Sequence, residues 1–205
     1  MRGAVRLADA ESVGLFRANR TLLWGGVLVI VSAVGQMAHH LFSHAATWQS
    51  RLDYLPNGVI PSVLLAALTV FAVGVRGRGV MGRSAVGKVA LIGFGACNAY
   101  AGWFEFLGIQ LTEPPAYGLI VAVVMGPVLA IVAVIVIAWK GALPGLWRFV
   151  PALVVAAVIA RYGYAFTVSD DATTLVSLDA FVIIAQLLMA GVALFLSFRN
   201  PTLDV

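Results

Sequence analysis

Four polar side chains follow one another at four-residue intervals between residues 32 and 44; they are Ser32, Gln36, His40 and His44. Because an α-helix turns once about every 3.6 residues, this spacing places all four on one helical face. Two histidines at positions i and i+4 can hold one metal ion from a single face, as they do in zinc enzymes. The pattern therefore predicts a stripe for metal binding or hydrogen bonding, with His39 about 100° round the helix.

Acidic, basic and amide side chains also occur inside three later apolar segments. They form pairs three or seven residues apart: Asn98 with Glu105, Arg161 with Tyr164, and Asp179 with Gln186. Residues at these spacings share a helical face, so each pair can project into one space. An arginine keeps its proton and needs a carboxylate partner in an apolar segment, so we expect either Glu105 or Asp179 to pair with Arg161. The remaining carboxylate would serve as a ligand, a base or a proton carrier.

The composition of the chain identifies lipid as the solvent of these segments. Of the 205 residues, 61% are hydrophobic and 11% are charged, and the mean hydropathy is +0.99. Soluble proteins are about 45–50% apolar and about 25% charged, so the composition excludes a soluble enzyme, a coiled coil and a disordered chain. A net charge of +4 would point to nucleic acid in a soluble protein. Here the basic residues flank apolar segments, so we expect no nucleic-acid partner. The single cysteine, Cys97, excludes an intrachain disulfide framework.

Six apolar segments are long enough to cross a bilayer, which requires about 20 helical residues. They cover roughly residues 21–43, 58–76, 87–108, 117–139, 147–167 and 174–197. The predicted fold is an all-α integral membrane protein, a six-transmembrane-helix bundle with short loops that forms one domain over residues 21–197. Residues 1–20 form an N-terminal arm, either a helix lying in the membrane interface or an ordinary solvated segment. Residues 198–205 form a short tail.

Lysine and arginine are distributed unequally between the two sides of these segments. Eleven lie in the N-terminal arm, in the loops after the second and fourth segments, and in the tail, whereas the opposite loops contain Arg51 alone. Because basic residues favour the cytoplasmic side, we predict that both termini are cytoplasmic. The compact design of the chain indicates the plasma membrane of a prokaryote.

This orientation places the ionisable side chains within the segments in the outer half of the membrane. Such side chains are costly in lipid and usually face the protein interior. We therefore predict a polar cavity between the first, third, fifth and sixth segments, open toward the extracytoplasmic side. The predicted metal ligands are His40, His44, Glu105 and Asp179. The other predicted site residues are His39, Gln36, Asn98, Arg161 and Tyr164.

The leading hypothesis is that this cavity binds a small ligand, with a transition metal as the first candidate. Imidazole and carboxylate groups suit zinc, copper or iron. The protein would act alone or as a subunit of a redox or transport complex. All three histidines lie within residues 39–44, whereas a bis-histidine haem needs them on two helices, so haem is expected only if another subunit shares it. In the structural alternative, the histidines cap the helix end and bond to the following loop.

Three other functions fit the same pattern. A proton-linked small-solute transporter would use the ionisable groups as a relay, although the inner half offers no comparable polar path. An enzyme acting on a lipid or quinone in the outer leaflet would use a carboxylate and a histidine as acid and base. A purely structural accessory subunit would use the groups to fix helix packing.

Partner subunits or a second copy would dock on the apolar fourth segment or on a small-residue face. That face consists of Gly93, Gly95, Ala99 and Gly102.

Overall fold

The structure is a computed structural model that describes residues 19–45, 55–75, 79–107, 115–140, 143, 145–167 and 172–199. These residues form six α-helices: α1 (Arg20–Ala45), α2 (Leu55–Val73), α3 (Ala85–Leu107), α4 (Pro115–Lys140), α5 (Val150–Thr167) and α6 (Ala172–Arg199). A short 3-10 helix, Gly145–Phe149, leads into α5, and the described residues contain no strand. The prediction of an all-α chain with six long helices is confirmed. The predicted arm and most of the predicted tail lie outside the described residues.

Among the described residues, four helices are long and apolar enough to cross a membrane, namely α1, α2, α4 and α6. The other two, α3 and α5, have charged or amide side chains within their apolar sequence, at Lys88, Asn98 and Arg161. Large apolar side chains cover the outside of the bundle; Val124, for example, is 59% exposed. An apolar surface of this extent is suited to lipid rather than to water. The helices therefore indicate a membrane-embedded protein.

The helices form a ring in which neighbours run in opposite directions. Each helix packs against the next one in the chain, and α1 packs against α6 to close the ring. The antiparallel order is visible at the helix ends, where the N–H of Asn19 donates to the carbonyl of Ser197 at 3.0 Å. The N–H of Val75 likewise donates to Oγ1 of Thr21 at 2.9 Å. Among the described residues, the ring is packed least densely between α4 and α5.

Local capping explains where the first two helices begin and end. Oδ1 of Asn19 accepts the N–H groups of Thr21 at 3.1 Å and Leu22 at 3.3 Å. Asn19 is therefore the N-cap of α1, which satisfies backbone donors that have no partner within the first turn. The second helix ends at Val73 because Gly74 adopts a φ of 80°, a conformation that glycine reaches without steric cost.

The two ends of the ring differ in chemistry. At the basic end, α1, α3 and α5 begin and α2, α4 and α6 end. The basic residues described there are Arg20, Arg83, Lys88, Arg148 and Arg199. Residues 79–81, between α2 and α3, fold into the ring at this end: Met81 is 1% exposed, and the N–H of Val80 donates to the carbonyl of Phe71 at 2.7 Å. At the opposite end, the polar end, α1, α3 and α5 end and the other helices begin.

The seam between α2 and α3 at the polar end is unusually close. Pro61 has no N–H to donate to the carbonyl of Asn57 four residues earlier, and Gly102 of α3 packs directly against that carbonyl. Nε1 of Trp103 donates to Oγ of Ser62 at 2.9 Å across the same seam. The ring of Trp103 fills the space beside Gly58, where any side chain would collide with it.

Much of the small-residue face proposed for a partner is covered within the chain itself. Gly93 packs against Leu129 of α4, and Gly95 and Gly102 pack against α2. Neighbouring helices therefore already contact these glycines, and the expectation of a partner subunit on this face stays a prediction. The outward face of α4 differs, since its large side chains point away from the ring; Ile120, Val121 and Val124 are among them. α4 turns small residues such as Ala130 inward and continues as one helix through Pro127.

Candidate functional site

A cavity of about 290 Å³ lies inside the ring and extends to the polar end. All six helices line this cavity; α2 contributes Asn57 and α4 contributes Ala130. The cavity predicted between the first, third, fifth and sixth segments thus has α2 and α4 in its wall as well. That prediction rested on ionisable residues, whereas α4 contributes small and aliphatic side chains that leave no polar signal in the sequence.

Arg161 of α5 and Asp179 of α6 form an ion pair in the cavity wall. Nε of Arg161 donates to Oδ1 of Asp179. Of the two carboxylates considered as its partner, the structure places Asp179 there. The two side chains are 38% and 23% exposed, respectively, so the pair lies near the mouth of the cavity. Charge assistance makes such a bond stronger than one between neutral groups.

His40 approaches the second oxygen of the same carboxylate. Its Nε2 atom lies 3.9 Å from Oδ2 of Asp179. This distance exceeds that of a hydrogen bond, so the interaction is electrostatic and depends on the proton state of the imidazole. His40, Asp179 and Arg161 therefore form a row across α1, α6 and α5, which we call the charged row.

The polar stripe predicted on α1 joins that helix to α2 as well as to the cavity. Oγ of Ser32 donates to the carbonyl of Ile60 at 3.3 Å, and Nε2 of Gln36 donates to Oγ of Ser32 at 3.4 Å. Gln36 and His40 line the cavity, as does His39. The cavity wall is therefore broad enough to include His39, although the helical period rotates it away from the stripe.

Amide side chains form the remaining polar part of the wall. Nδ2 of Asn98 donates to the carbonyl of Phe94 at 2.8 Å, which holds this amide at the wall. Gln186 also lines the cavity and is only 3% exposed. Its Oε1 atom accepts no hydrogen bond from the part of the chain that the structure describes. Because a buried polar group without a partner costs about 1–3 kcal/mol, Gln186 is a group that a bound molecule can satisfy.

Gln186 and Asn57 are polar residues of the cavity wall that were not among the predicted site residues. For Gln186 a signal exists, since it follows Asp179 by seven residues and therefore shares its face. For Asn57 the sequence offers little, because this residue lies in the first turn of α2 and only the packing of α2 against α3 turns it toward the cavity.

Three of the predicted site residues cannot be placed in the cavity. The backbones of His44, Glu105 and Tyr164 belong to α1, α3 and α5, and their side chains lie outside the described residues. Among the side chains that are described, no group of three or more histidine, cysteine, aspartate or glutamate residues could hold a metal ion. The predicted ligand set of His40, His44, Glu105 and Asp179 thus has His40 and Asp179 close together, and its other two members stay predictions.

Toward the basic end the cavity becomes apolar. Its described lining there includes Leu68, Leu91, Val154 and Met189. Beyond these residues, the inserted α2–α3 loop and the 3-10 helix pack against the helix ends with apolar side chains, including Val80 and Trp147. The described residues therefore enclose a cavity with a polar mouth and an apolar floor.

No protein-family model, no curated protein and no solved structure matches this chain. The residues of the site itself are therefore the basis for a functional proposal.

Proposed function

We propose that this is a multi-pass membrane protein that binds a small ligand in a polar site within the extracytoplasmic half of the membrane. The observation that carries the proposal is the buried Gln186 amide, whose Oε1 lacks a donor among the described residues, in the wall of a cavity that all six helices line. Ligand pockets typically combine an apolar lining with a few convergent polar groups. The cavity between the charged row and Met189 has this composition.

The orientation in the membrane is part of the proposal. Apart from Arg161, the described lysines and arginines lie at the end of the ring opposite the charged row, and basic residues favour the cytoplasm. The polar end would then face outward, with both termini in the cytoplasm of a prokaryotic cell. A ligand would reach the site from the outside or from the outer leaflet.

An organic ligand is favoured over a metal ion because Asp179 is already paired with Arg161. The guanidinium of Arg161 already engages this carboxylate, so a metal cation bound to it would lie close to a fixed positive charge. A transition metal such as zinc, copper or iron is the second candidate, supported by the 3.9 Å approach of His40 to Asp179. Metal binding would require Arg161 to turn away or His44 and Glu105 to complete the site.

The apolar floor favours a binding site over a continuous transport path. A proton-linked carrier needs polar groups or water on both sides of its site, and the described residues toward the basic end are apolar. Lipid or quinone chemistry at the charged row would require the same bound state, so ligand binding is the first property to establish. If the protein is instead a subunit of a redox or transport complex, ligand binding is again the first property to establish.

The test is to purify the full chain gently into lipid nanodiscs, measure its metal content and identify extracted small molecules by mass spectrometry. The parent should contain one small ligand in near-stoichiometric amount. Asp179→Asn should lose it, whereas Thr69→Val, which changes a polar side chain outside the cavity, should keep it. A metal lost specifically in a His40→Ala/His44→Ala variant would make the metal the ligand. A parent that contains neither a metal nor an organic molecule would contradict the proposal.

A further inference from the structure

In the described cavity wall, the positive charge of the one arginine and the negative charge of the one carboxylate cancel. Its charged side chains are Arg161 and Asp179, which are bonded to each other. An ionic head group placed beside them would have to compete with this pair or remain without a counter-ion in a low-dielectric site, which is costly. The wall is therefore electrostatically suited to an uncharged head group.

The neutral polar groups of the wall can both donate and accept hydrogen bonds. Carboxamides belong to Gln36, Asn57, Asn98 and Gln186 on four different helices, and each amide has donor and acceptor atoms. The buried Gln186 amide has the strongest requirement, because it is 3% exposed and its Oε1 accepts nothing from the described residues. A hydroxyl or amide head group can meet this requirement from within the cavity.

The apolar floor of the cavity indicates that the ligand also has an apolar part. Gln186 lines the cavity, and Leu196, ten residues further along α6, lines an adjoining apolar cavity that shares Leu68 and Met189 with it. Since a helix rises about 1.5 Å per residue, the apolar lining continues about 15 Å from Gln186 toward the basic end. There the loop that includes Val80 and Met81 closes the ring with buried apolar side chains. This depth suits a single short apolar chain.

From these three features we infer that the ligand is an uncharged single-chain amphiphile, with a hydrogen-bonding head at Gln186 and an apolar tail on the floor lined by Leu68 and Met189. The inference rests on the proposed function and names its ligand class. Long-chain alcohols, monoacylglycerols and prenylated phenols share this chemistry.

The experiment compares three amphiphiles with the same chain and different head charge, namely dodecan-1-ol, dodecanoate and dodecyltrimethylammonium. Each is added to the full chain in nanodiscs at neutral pH, and binding is measured by native mass spectrometry and by the shift in melting temperature. Dodecan-1-ol should bind most tightly. Gln186→Leu, which keeps the side-chain size and removes the amide, should weaken dodecan-1-ol binding about tenfold, the equivalent of one lost hydrogen bond.

Two further variants separate loss of binding from loss of folding. Thr69→Val lies outside the cavity and should bind dodecan-1-ol like the parent. Val155→Phe narrows the apolar floor, so it should weaken dodecan-1-ol binding while leaving hexan-1-ol binding unchanged. Should Gln186→Leu fail to fold, Asn98→Leu removes a second amide of the same wall and serves in its place.

The outcomes distinguish the two proposals. Tighter binding of either ionic amphiphile, or unchanged dodecan-1-ol binding in the amide variant, would overturn the inference and leave the proposed site standing. If no amphiphile binds and the parent contains neither a metal nor a copurified molecule, both the inference and the proposed function are wrong. Mass spectrometry of the copurified molecule then distinguishes an alcohol, a monoacylglycerol and a prenylated phenol.

Discussion

Nε2 of His40 on α1 lies 3.9 Å from Oδ2 of Asp179 on α6, while the other oxygen of that carboxylate accepts a hydrogen bond from Arg161 on α5. One carboxylate thus connects the first helix of the ring with the last two. The side chains of His40 and Asp179 are 32% and 23% exposed, so the group is accessible from the mouth of the cavity. A ligand that enters from the polar end would pass this row.

Arg161→Ala should destabilise the protein by about 1–3 kcal/mol. The variant leaves the Asp179 carboxylate without its bonded cation. A fully buried pair would cost about 3–5 kcal/mol, and the partial exposure of this pair reduces the expected loss. Melting of the purified chain in nanodiscs measures the effect. In the Arg161→Ala/Asp179→Ala double variant, part of the lost stability should return, because the unpaired charge is gone.

The matched control for this charge is Arg83→Ala, which removes an exposed arginine at the basic end. Exposed charges away from specific partners contribute little, so its melting temperature should stay close to that of the parent. Equal losses in Arg83→Ala and Arg161→Ala would mean that the Arg161–Asp179 bond does not stabilise the fold.

Gly102→Ala should destabilise the protein, by about 1–3 kcal/mol, because its Cβ would collide with the backbone carbonyl of Asn57 and force α2 and α3 apart. Gly191→Ala is the control within another helix, since a Cβ there meets no atom within 4 Å. That change should be neutral or stabilising, by up to about 1 kcal/mol from helix propensity. Thermal melting of both variants checks the pair; a Gly102→Ala variant as stable as Gly191→Ala would contradict the close seam.

Trp103→Phe should cost about 1 kcal/mol, because it removes the hydrogen bond from Nε1 to Oγ of Ser62 and keeps an aromatic ring beside Gly58. Ser62→Ala removes the other partner of the same bond. If the bond stabilises the seam, the double variant should lose less stability than the sum of the two single losses. Simple additivity in a double-mutant cycle would show that the two side chains act independently.

Cysteine labelling checks the predicted orientation in the membrane. In a Cys97→Ala background, Arg83→Cys at the basic end should remain unlabelled in intact cells treated with a membrane-impermeant maleimide. Thr112→Cys, in the loop predicted to lie outside, should be labelled. After the cells are opened, both should react. The reverse pattern would place the charged row on the cytoplasmic side and contradict the orientation drawn from basic residues.

The sequence by itself determined the helices and the residues that require a polar environment. Apolar length predicts six segments, and each observed helix begins and ends within a few residues of its predicted segment. The helical period also predicts which side chains share a face, as for Gln36 and His40. Both inferences succeed because they depend on local properties, namely the length of apolar sequence and the 3.6-residue turn.

The tertiary structure alone decided which faces meet. It selects Asp179 as the partner of Arg161, brings α2 and α4 into the cavity wall and buries Met81 inside the ring. None of these follows from local sequence, because the rotation of each helix about its axis is set by close packing with its neighbours. The contact between Gly102 and Asn57 is such a case: Gly102 lies on α3 and Asn57 on α2, and only the packing of the two helices brings them together in one seam.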